Sequence, residues 1–183
     1  MARKVVFYIA ASLDGYIATP DGGVDWLPQP TAEVDYGYAD LLASVDTTLQ
    51  GRTTYERVLT FGEWPYPTFR NYVFTHQPRS QTLNPSIEFV TENPADFVAR
   101  LRQQEGKNIW LIGGSTLAAT LLQAGMVDEL LLFVMPQLLG QGIRLWQDRP
   151  SQNQSVRLLR THTWPDGVTL LHYQLTQIMQ PAR

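Results

Sequence analysis

Residues 111–117 read Leu111-Ile112-Gly113-Gly114-Ser115-Thr116-Leu117 and join an apolar run to the start of a helical pattern. The run at 109–112 is almost continuously apolar, which is typical of a strand buried on both faces of a parallel sheet. Because neither glycine has a side chain, a ligand backbone or a pyrophosphate could approach the junction closely. The alternative is a tight turn in front of a serine-capped helix.

A second strand-to-helix junction has the same layout and reads Gly51-Arg52-Thr53-Thr54-Tyr55-Glu56. The first backbone N–H groups of a helix and the positive end of its dipole attract anions, and Arg52 adds a cation suited to phosphate. The alternative is a well-capped helix with a solvated arginine. Neither junction has the G-x-G-x-x-G pattern. Two such junctions in one small α/β chain favour a ligand with several phosphates.

Apolar runs and helical patterns alternate along the rest of the chain. We predict strands at residues 5–11, 45–50, 71–75, 109–112 and 129–135. We predict helices at residues 31–43, 53–59, from 93 to near 106, and 115–124. Thr53 and Glu56 suit a capping box at the second helix, and Asn93-Pro94 is a good start for the third.

The C-terminal part has a different pattern, because residues 156–163 and 168–176 flank the turn Trp164-Pro165-Asp166-Gly167. Pro-Asp-Gly between two apolar stretches predicts an antiparallel hairpin. The expected fold is therefore α/β, with a mostly parallel sheet, helices on both faces and an antiparallel hairpin at the end. We expect a single domain over residues 1–183.

Composition excludes several function classes. The 183 residues are 44% hydrophobic and 17% charged, with a net charge of −3, and so have no basic footprint for nucleic acid. There is no cysteine, which rules out disulfides, thiolate zinc sites and cysteine nucleophiles, and the sequence has no cluster of metal ligands. No apolar run approaches the roughly 18 residues of a membrane helix. We expect a cytoplasmic protein without a membrane or nucleic-acid partner.

A third segment reads Ala11-Ser12-Leu13-Asp14-Gly15-Tyr16-Ile17-Ala18, a strand end that runs into an Asp-Gly turn. Together with the two junctions and the stretch at 127–142, which ends in Pro136-Gln137-Leu138-Leu139-Gly140-Gln141-Gly142, it resembles the dihydrofolate reductase-like fold. More closely, these segments resemble stand-alone relatives of the reductase domain of the riboflavin-biosynthesis deaminase-reductase. They occur in the order of that family and span nearly the whole chain.

The resemblance implies a three-layer α/β/α fold and an NADPH-dependent reductase, and it carries site residues with it. The residues that would contact the nicotinamide are Ala10 and Ile17. Those that would hold the pyrophosphate and adenosine are Gly51, Arg52, Thr53, Thr54, Gly113, Gly114, Ser115 and Thr116. Those that would contact the adenosine and its 2′-phosphate are Thr75, His76 and Arg79. The family also suggests a homodimer, for which we expect a surface at residues 129–135 and the following loop.

The substrate is expected to be a small heterocycle. Asp35 matches the acidic position of dihydrofolate reductases when residues are counted back from Gly51, so we expect Asp35, or a water that it holds, to give the proton. Trp26 and Trp64 would form aromatic walls for a planar ring.

The sequence also departs from the riboflavin-pathway pattern, because Tyr16 stands where that reductase has a lysine, and the expected Ala-Arg pair is missing. The alternatives are therefore a dihydrofolate or pterin reductase, or a nucleotide-binding protein without catalysis.

Overall fold

A computed structural model describes residues 2–28, 31, 34–77, 84–147 and 154–175. Within these ranges the strands are β1 (Val5–Ser12), β2 (Tyr16–Ala18), β3 (Val45–Gly51), β4 (Arg70–Phe74), β5 (Ile87–Val90), β6 (Asn108–Gly113), β7 (Glu129–Met135), β8 (Ile143–Arg144), β9 (Val156–Thr163) and β10 (Thr169–Leu175). The helices are α1 (Tyr38–Ser44), α2 (Arg52–Leu59), α3 (Pro94–Leu101) and α4 (Ser115–Gln123). None of these helices is long and apolar enough to cross a membrane.

Eight of the strands form one sheet in the order β5-β4-β3-β6-β1-β7-β10-β9. The first six strands of this order are parallel to one another, whereas β10 pairs antiparallel with β7 and β9 antiparallel with β10. The short strands β2 and β8 pair antiparallel in a second sheet. The predicted mostly parallel sheet with an antiparallel C-terminal hairpin is confirmed.

Helices cover both faces of the sheet, because successive strand side chains point to opposite sides. Phe7 and its neighbours on one face pack against residues of α3 and α4, such as Val98 and Leu121. Val6, on the opposite face of β1, packs against Leu41 of α1. The buried Tyr55 of α2 packs against Val73, which lies on this second face because its neighbours in β4 pack with α3. The three-layer α/β/α architecture is confirmed.

The first helix is shorter than expected, since it begins at Tyr38 and not at residue 31. Tyr36 and Gly37 have φ angles of 55° and 77°, which place both residues in the left-handed region and end any helix that comes from the N-terminal side. Asp35 accepts hydrogen bonds from the backbone N–H groups of Gly37 and Ala39, and this contact stabilises the turn in front of α1. The expected helix start was therefore wrong.

The predictions for α2 and α3 were partly right. The capping box expected at Thr53 and Glu56 is absent, because α2 begins at Arg52 and has no side-chain cap. Asn93 caps α3 as expected by accepting from the first backbone N–H groups of that helix, although α3 ends at Leu101 and not near residue 106. The sequence patterns missed β2, β5 and β8, which have two to four residues and are too short to show a period.

The expected dimer surface at residues 129–135 cannot act through strand pairing. Both edges of β7 are hydrogen-bonded within the chain, to β1 and to β10. The outer strand of this end of the sheet is β9, whose residues are all exposed and include Val156, Leu158 and Leu159. The homodimer itself stays a prediction.

A polar network fixes the amino-terminal ends of the central strands. Arg3 is 4% exposed, and its guanidinium donates to Asp46 at the start of β3, to Thr47 and to the carbonyl oxygen of Lys107 before β6. Asp46 also accepts from the backbone N–H of Lys107. Burial alone would raise the pKa of Asp46, but the hydrogen bonds from Thr47 and Lys107 and the charge of Arg3 lower it overall. The network therefore contains an ionised carboxylate that pairs with a buried cation.

We expect Asp46→Ala to leave the Arg3 guanidinium buried without its anion. The free energy of unfolding should fall by about 2 kcal/mol, less than the roughly 3–5 kcal/mol for a fully buried pair, because the Asp46 side chain is 38% exposed. Urea denaturation at neutral pH measures the change. As the pKa of Asp46 is lowered in the folded state, its contribution is present near neutral pH and is lost as the pH falls below about 4.

The matched control is Glu92→Ala, which removes an exposed ion pair with Arg100. This variant should change the free energy of unfolding by about 0.5 kcal/mol or less. Equal effects of the two substitutions, or a gap between wild type and Asp46→Ala that is unchanged in acid, would contradict the prediction.

Candidate functional site

The carboxyl ends of β1, β3, β4, β6 and β7 meet at one edge of the sheet, since these strands are parallel. After β3 the chain continues into α2 on one face, and after the adjacent β6 it continues into α4 on the other face. In open α/β sheets a crevice forms where neighbouring connections go to opposite faces, and ligands bind there. The two glycine junctions of the sequence lie at this point.

The glycines leave the crevice free of side chains. A Cβ atom on Gly51 would lie 3.7 Å from the backbone nitrogen of Gly114, and a Cβ atom on Gly114 would lie 3.2 Å from Oγ1 of Thr54. Gly113 has a φ of 131° and is joined to Gly114 by a cis peptide bond. The two junctions are therefore in contact with each other and form one site.

The two helices that begin at the crevice have no side-chain cap. α2 starts after Gly51 and α4 after Gly114, and neither residue offers a side-chain acceptor to the first N–H groups. Thr53 and Thr116 are exposed beside them, whereas Ser115 is buried and its hydroxyl accepts from the Gln147 side chain at 2.9 Å. Uncapped N–H groups at two helix ends suit an anion with more than one phosphate.

Arg52 and the segment after β4 form the outer side of the crevice. The Arg52 guanidinium donates to the Gln77 side chain at 3.2 Å and lies 3.6 Å from Glu56. Thr75 accepts from the backbone N–H of Gln77, and His76 is exposed next to it. Arg52, Thr75 and His76 therefore lie close together, as their expected shared role at the adenosine end of the cofactor requires. Arg79 lies outside the described residues.

An apolar cleft lies at the same edge of the sheet, over the ends of β1 and β7. Its volume is about 110 Å³, and it is lined by Tyr8, Ala10, Leu27, Pro28, Tyr36, Phe133 and Met135. The volume is well below the roughly 300–1,000 Å³ of a typical ligand pocket, so the cleft suits a single small ring and not a large ligand. Ala10, which we expect to contact the nicotinamide, therefore lies near the end of β1 and also lines the cleft.

Tyr8 and Tyr36 supply the polar groups of this cleft. The Tyr8 hydroxyl donates to the backbone carbonyl of Tyr36 at 3.3 Å, and burial raises the pKa of Tyr8 well above its ordinary value. The Tyr36 hydroxyl donates to Asp166 in the β9–β10 turn, and this hydrogen bond raises the pKa of Tyr36 to about 12. The same hydrogen bond lowers the pKa of Asp166. Both phenols are therefore protonated, and Asp166 is ionised, near neutral pH.

Asp35 lies at the rim of the cleft, next to Tyr36 and close enough for its charge to act on Tyr8. It is exposed, and the hydrogen bonds from Ala39 and Gly37 lower its pKa. The carboxylate is therefore ionised at neutral pH, so it can hold a water but has no proton of its own to give.

The two tryptophans expected at the substrate lie in different clusters. Trp26 packs in the same cluster as Phe133, Met135 and the other cleft residues, and its indole nitrogen is buried without a partner among the described residues. Trp64 packs against Tyr55 and Val73, on the same face of the sheet as the cleft but at β4, three strands away from β1. Trp26 therefore lies beside the cleft without lining it, and Trp64 lies away from it.

The turn that leads into β2, the strand that contains Ile17, is held by the loop after β7. Asp14 accepts from Ser12 and from the backbone N–H groups of Leu139 and Gly140. A Cβ atom on Gly142 would lie 2.1 Å from the carbonyl oxygen of Ala18, so a glycine is required where these loops cross. Ile17 packs at the edge of the main core, on the opposite face from the cleft.

Sequence reasoning missed four residues of the site: Tyr8, Tyr36, Phe133 and Asp166. Tyr8 could have been found, because it lies two residues before Ala10 on one strand and therefore shares its face. Tyr36 and Asp166 are 130 positions apart, and no local pattern connects them. The described residues hold no group of three or more histidine, cysteine, aspartate or glutamate side chains placed to bind a metal ion.

Comparisons with known proteins identify relatives over most of the chain. Residues 3–170 match the family model of the RibD C-terminal domain. The uncharacterized Bacillus subtilis protein YwjB is 40% identical over 174 residues, which cover 94% of this chain and 98% of that protein. The riboflavin biosynthesis protein RibD of Escherichia coli is 49% identical, but over 48 residues, or 26% of this chain and 13% of that protein.

Two solved structures have the same fold. One is a Shewanella sp. PV-4 protein provisionally named a riboflavin biosynthesis protein, with a TM-score of 0.83, 28% identity and coverage of 96% of this chain and 99% of that chain. The other is the Thermotoga maritima diaminohydroxyphosphoribosylaminopyrimidine deaminase/5-amino-6-(5-phosphoribosylamino)uracil reductase, with a TM-score of 0.72, 17% identity and coverage of 96% and 57%. The family model spans most of the chain and the YwjB match almost all of it, so the chain belongs to the RibD C-terminal domain family.

Proposed function

We propose that the chain is a reductase that uses NADPH and acts on a small heterocycle of the pyrimidine type. The observation that carries this proposal is the meeting of two uncapped helix starts at a crevice of glycines, directly beside an apolar aromatic cleft. An anion site next to a ring site suits a dinucleotide whose reactive ring must lie against a second, planar molecule. Membership of the RibD C-terminal domain family supports the same reaction class.

The crevice residues fit the pyrophosphate of such a cofactor. Gly51 and Gly114 leave the backbone accessible, and the first N–H groups of α2 and α4 supply donors. NADPH, when bound, supplies the hydride for the reduction. The residues that would hold it are Ala10, Gly51, Arg52, Thr53, Thr54, Thr75, His76, Arg79, Gly113, Gly114, Ser115 and Thr116. Ile17 packs on the opposite face from the cleft and is not assigned to the nicotinamide.

Arg52 is the residue we assign to the 2′-phosphate that distinguishes NADPH from NADH. Its side chain is 40% exposed, and its guanidinium lies beside the segment that follows β4. A guanidinium binds phosphate through paired charge-assisted hydrogen bonds. Discrimination between the two cofactors would therefore depend on this side chain.

The apolar cleft is the site we assign to the substrate. The rings of Tyr8 and Phe133 have centroids 4.4 Å apart and form a continuous apolar wall over the ends of β1 and β7. Trp26 packs in the same cluster as this wall, and its buried indole N–H has no partner among the described residues. Asp35, at the rim, would hold the water that delivers the proton, because its own carboxylate is ionised.

Arg52→Ala should separate the two cofactors in a titration read by tryptophan fluorescence. The dissociation constant for NADPH should rise about tenfold, the equivalent of about 1.4 kcal/mol, because one charge-assisted contact is lost. The constant for NADH should change less than about twofold, since NADH has no 2′-phosphate. Arg100→Ala, an exposed arginine on α3, is the matched control. A similar loss for both cofactors would count against this role of Arg52.

Gly51→Ala tests the crevice without disturbing the fold. Gly51 has a φ of −77°, and an added Cβ would meet Gly114 at an ordinary contact distance of 3.7 Å, so the variant should fold normally. The methyl group would occupy the approach to the helix starts. It should raise the dissociation constants for both NADPH and NADH by about tenfold or more. The urea midpoint of the same sample is the control. Unchanged affinity for both cofactors would exclude a pyrophosphate at this crevice.

Asp35→Asn tests the source of the proton. The turnover number should fall by about a factor of 100, as for the loss of one general acid–base group, while the affinity for NADPH stays the same. The measurement is NADPH oxidation at saturating heterocycle. Asp40→Asn, an exposed acidic residue in the first turn of α1, is the control. If both variants turn over like wild type, the proton comes from another group.

A further inference from the structure

Tyr36 has a backbone conformation that an aromatic residue rarely adopts. It is the one residue other than glycine with a positive φ, 55°, in the described part of the chain. Bulky side chains in the left-handed region persist where surrounding contacts hold them, and such positions cluster at functional sites. The contacts that hold Tyr36 in this conformation therefore indicate a functional role for its side chain in the cleft.

Three contacts from distant parts of the chain fix Tyr36. Its hydroxyl donates to Asp166, and its ring meets Trp164 edge-on, with centroids 5.3 Å apart. Its carbonyl oxygen accepts from Tyr8 in β1. Asp166 is itself fixed, because its other carboxylate oxygen accepts from the backbone N–H of Val168 at 3.1 Å. Tyr36 is thus tied at its backbone, its ring and its hydroxyl.

The hairpin that holds Tyr36 is in turn packed on the sheet. A Cβ atom on Gly167 would lie 3.4 Å from Pro136, so the turn sits closely against the end of β7. Trp164 also packs against Phe133, with centroids 6.0 Å apart. The position of Tyr36 relative to the cleft floor is therefore set by the β9–β10 hairpin, and the side chain forms a fixed wall.

We propose that Tyr36, held by Asp166, is the specificity-determining residue that restricts the cleft to a single ring. The inference rests on the proposed function, in which the cleft takes the heterocycle. The cleft is only about 110 Å³ and Tyr36 is one of its walls, so this side chain limits the width of the ring system that can enter. A wall that excludes the larger competitor is a common means of selecting between related ligands. The cleft thus favours a pyrimidine over a pterin.

The test compares the binding of a one-ring and a two-ring probe by calorimetry. The probes are 5,6-diaminouracil and pterin, and the wild type should bind the former at least about tenfold more tightly. Tyr36→Asn should bring the ratio of the two dissociation constants, pterin over 5,6-diaminouracil, close to one because pterin binding improves. Asparagine is chosen because it adopts a positive φ readily, so the backbone of the loop is preserved.

Two further variants test the contact with Asp166. Tyr36→Phe keeps the ring but removes the hydroxyl, and Asp166→Ala removes its acceptor. Each should shift the ratio part of the way towards pterin, and the double variant should shift it no further than either single one, because both remove the same interaction. Tyr173→Phe, on the opposite face of the sheet, and Asp96→Asn in α3 are the matched controls and should bind like wild type.

The proposal is overturned if Tyr36→Asn leaves the ratio unchanged, if the control variants shift it equally, or if the wild type binds pterin as tightly as the single ring. It is also overturned if the wild type binds neither probe, because the cleft is then not a ring site. A separate titration with NADPH distinguishes these results from a failure of the proposed reductase function. NADPH binding without ring selectivity would leave the crevice assignment standing and remove the role of Tyr36.

Discussion

The site depends on one topological constraint, the change of face between β3 and β6. Parallel strands need crossover helices, and the helices after these two neighbouring strands lie on opposite faces of the sheet. The backbone at their carboxyl ends therefore separates, and the gap is lined by Gly51 and Gly114. Any larger side chain at these positions would fill the gap, so the composition of the crevice follows from the topology.

The opposite ends of the same strands have a different chemistry. Arg3, Asp46 and Asp128 lie at or before the starts of β1, β3 and β7 and take part in ion pairs and backbone hydrogen bonds there. One edge of the sheet thus contains paired charges, whereas the other contains uncapped N–H groups. The first edge stabilises the relative positions of the strands, and the second has uncapped donors, which the proposed function assigns to the cofactor.

The sequence predicted the sheet and the crevice well because both depend on local patterns. Buried strands are continuous apolar runs, and a glycine between strand and helix is visible in the sequence, so the junctions at 51 and 113–114 could be found. The start of α1 could not, because the left-handed backbone of Tyr36 is stabilised by contacts with Tyr8, Trp164 and Asp166. Trp64 looked like part of the substrate site because it is close in sequence to the junction at Gly51. In the structure it packs on α2 and β4.

The contact between Tyr36 and Asp166 joins residues that are 130 positions apart, and this separation has a consequence for how the protein is made. During synthesis the strands and helices around the crevice leave the ribosome well before the β9–β10 hairpin does, whereas a domain generally folds as a unit. The contact between Tyr36 and Asp166 can therefore form only after almost the whole sheet has been synthesised. The wall of the cleft is thus the part of the molecule whose completion depends on the end of the chain.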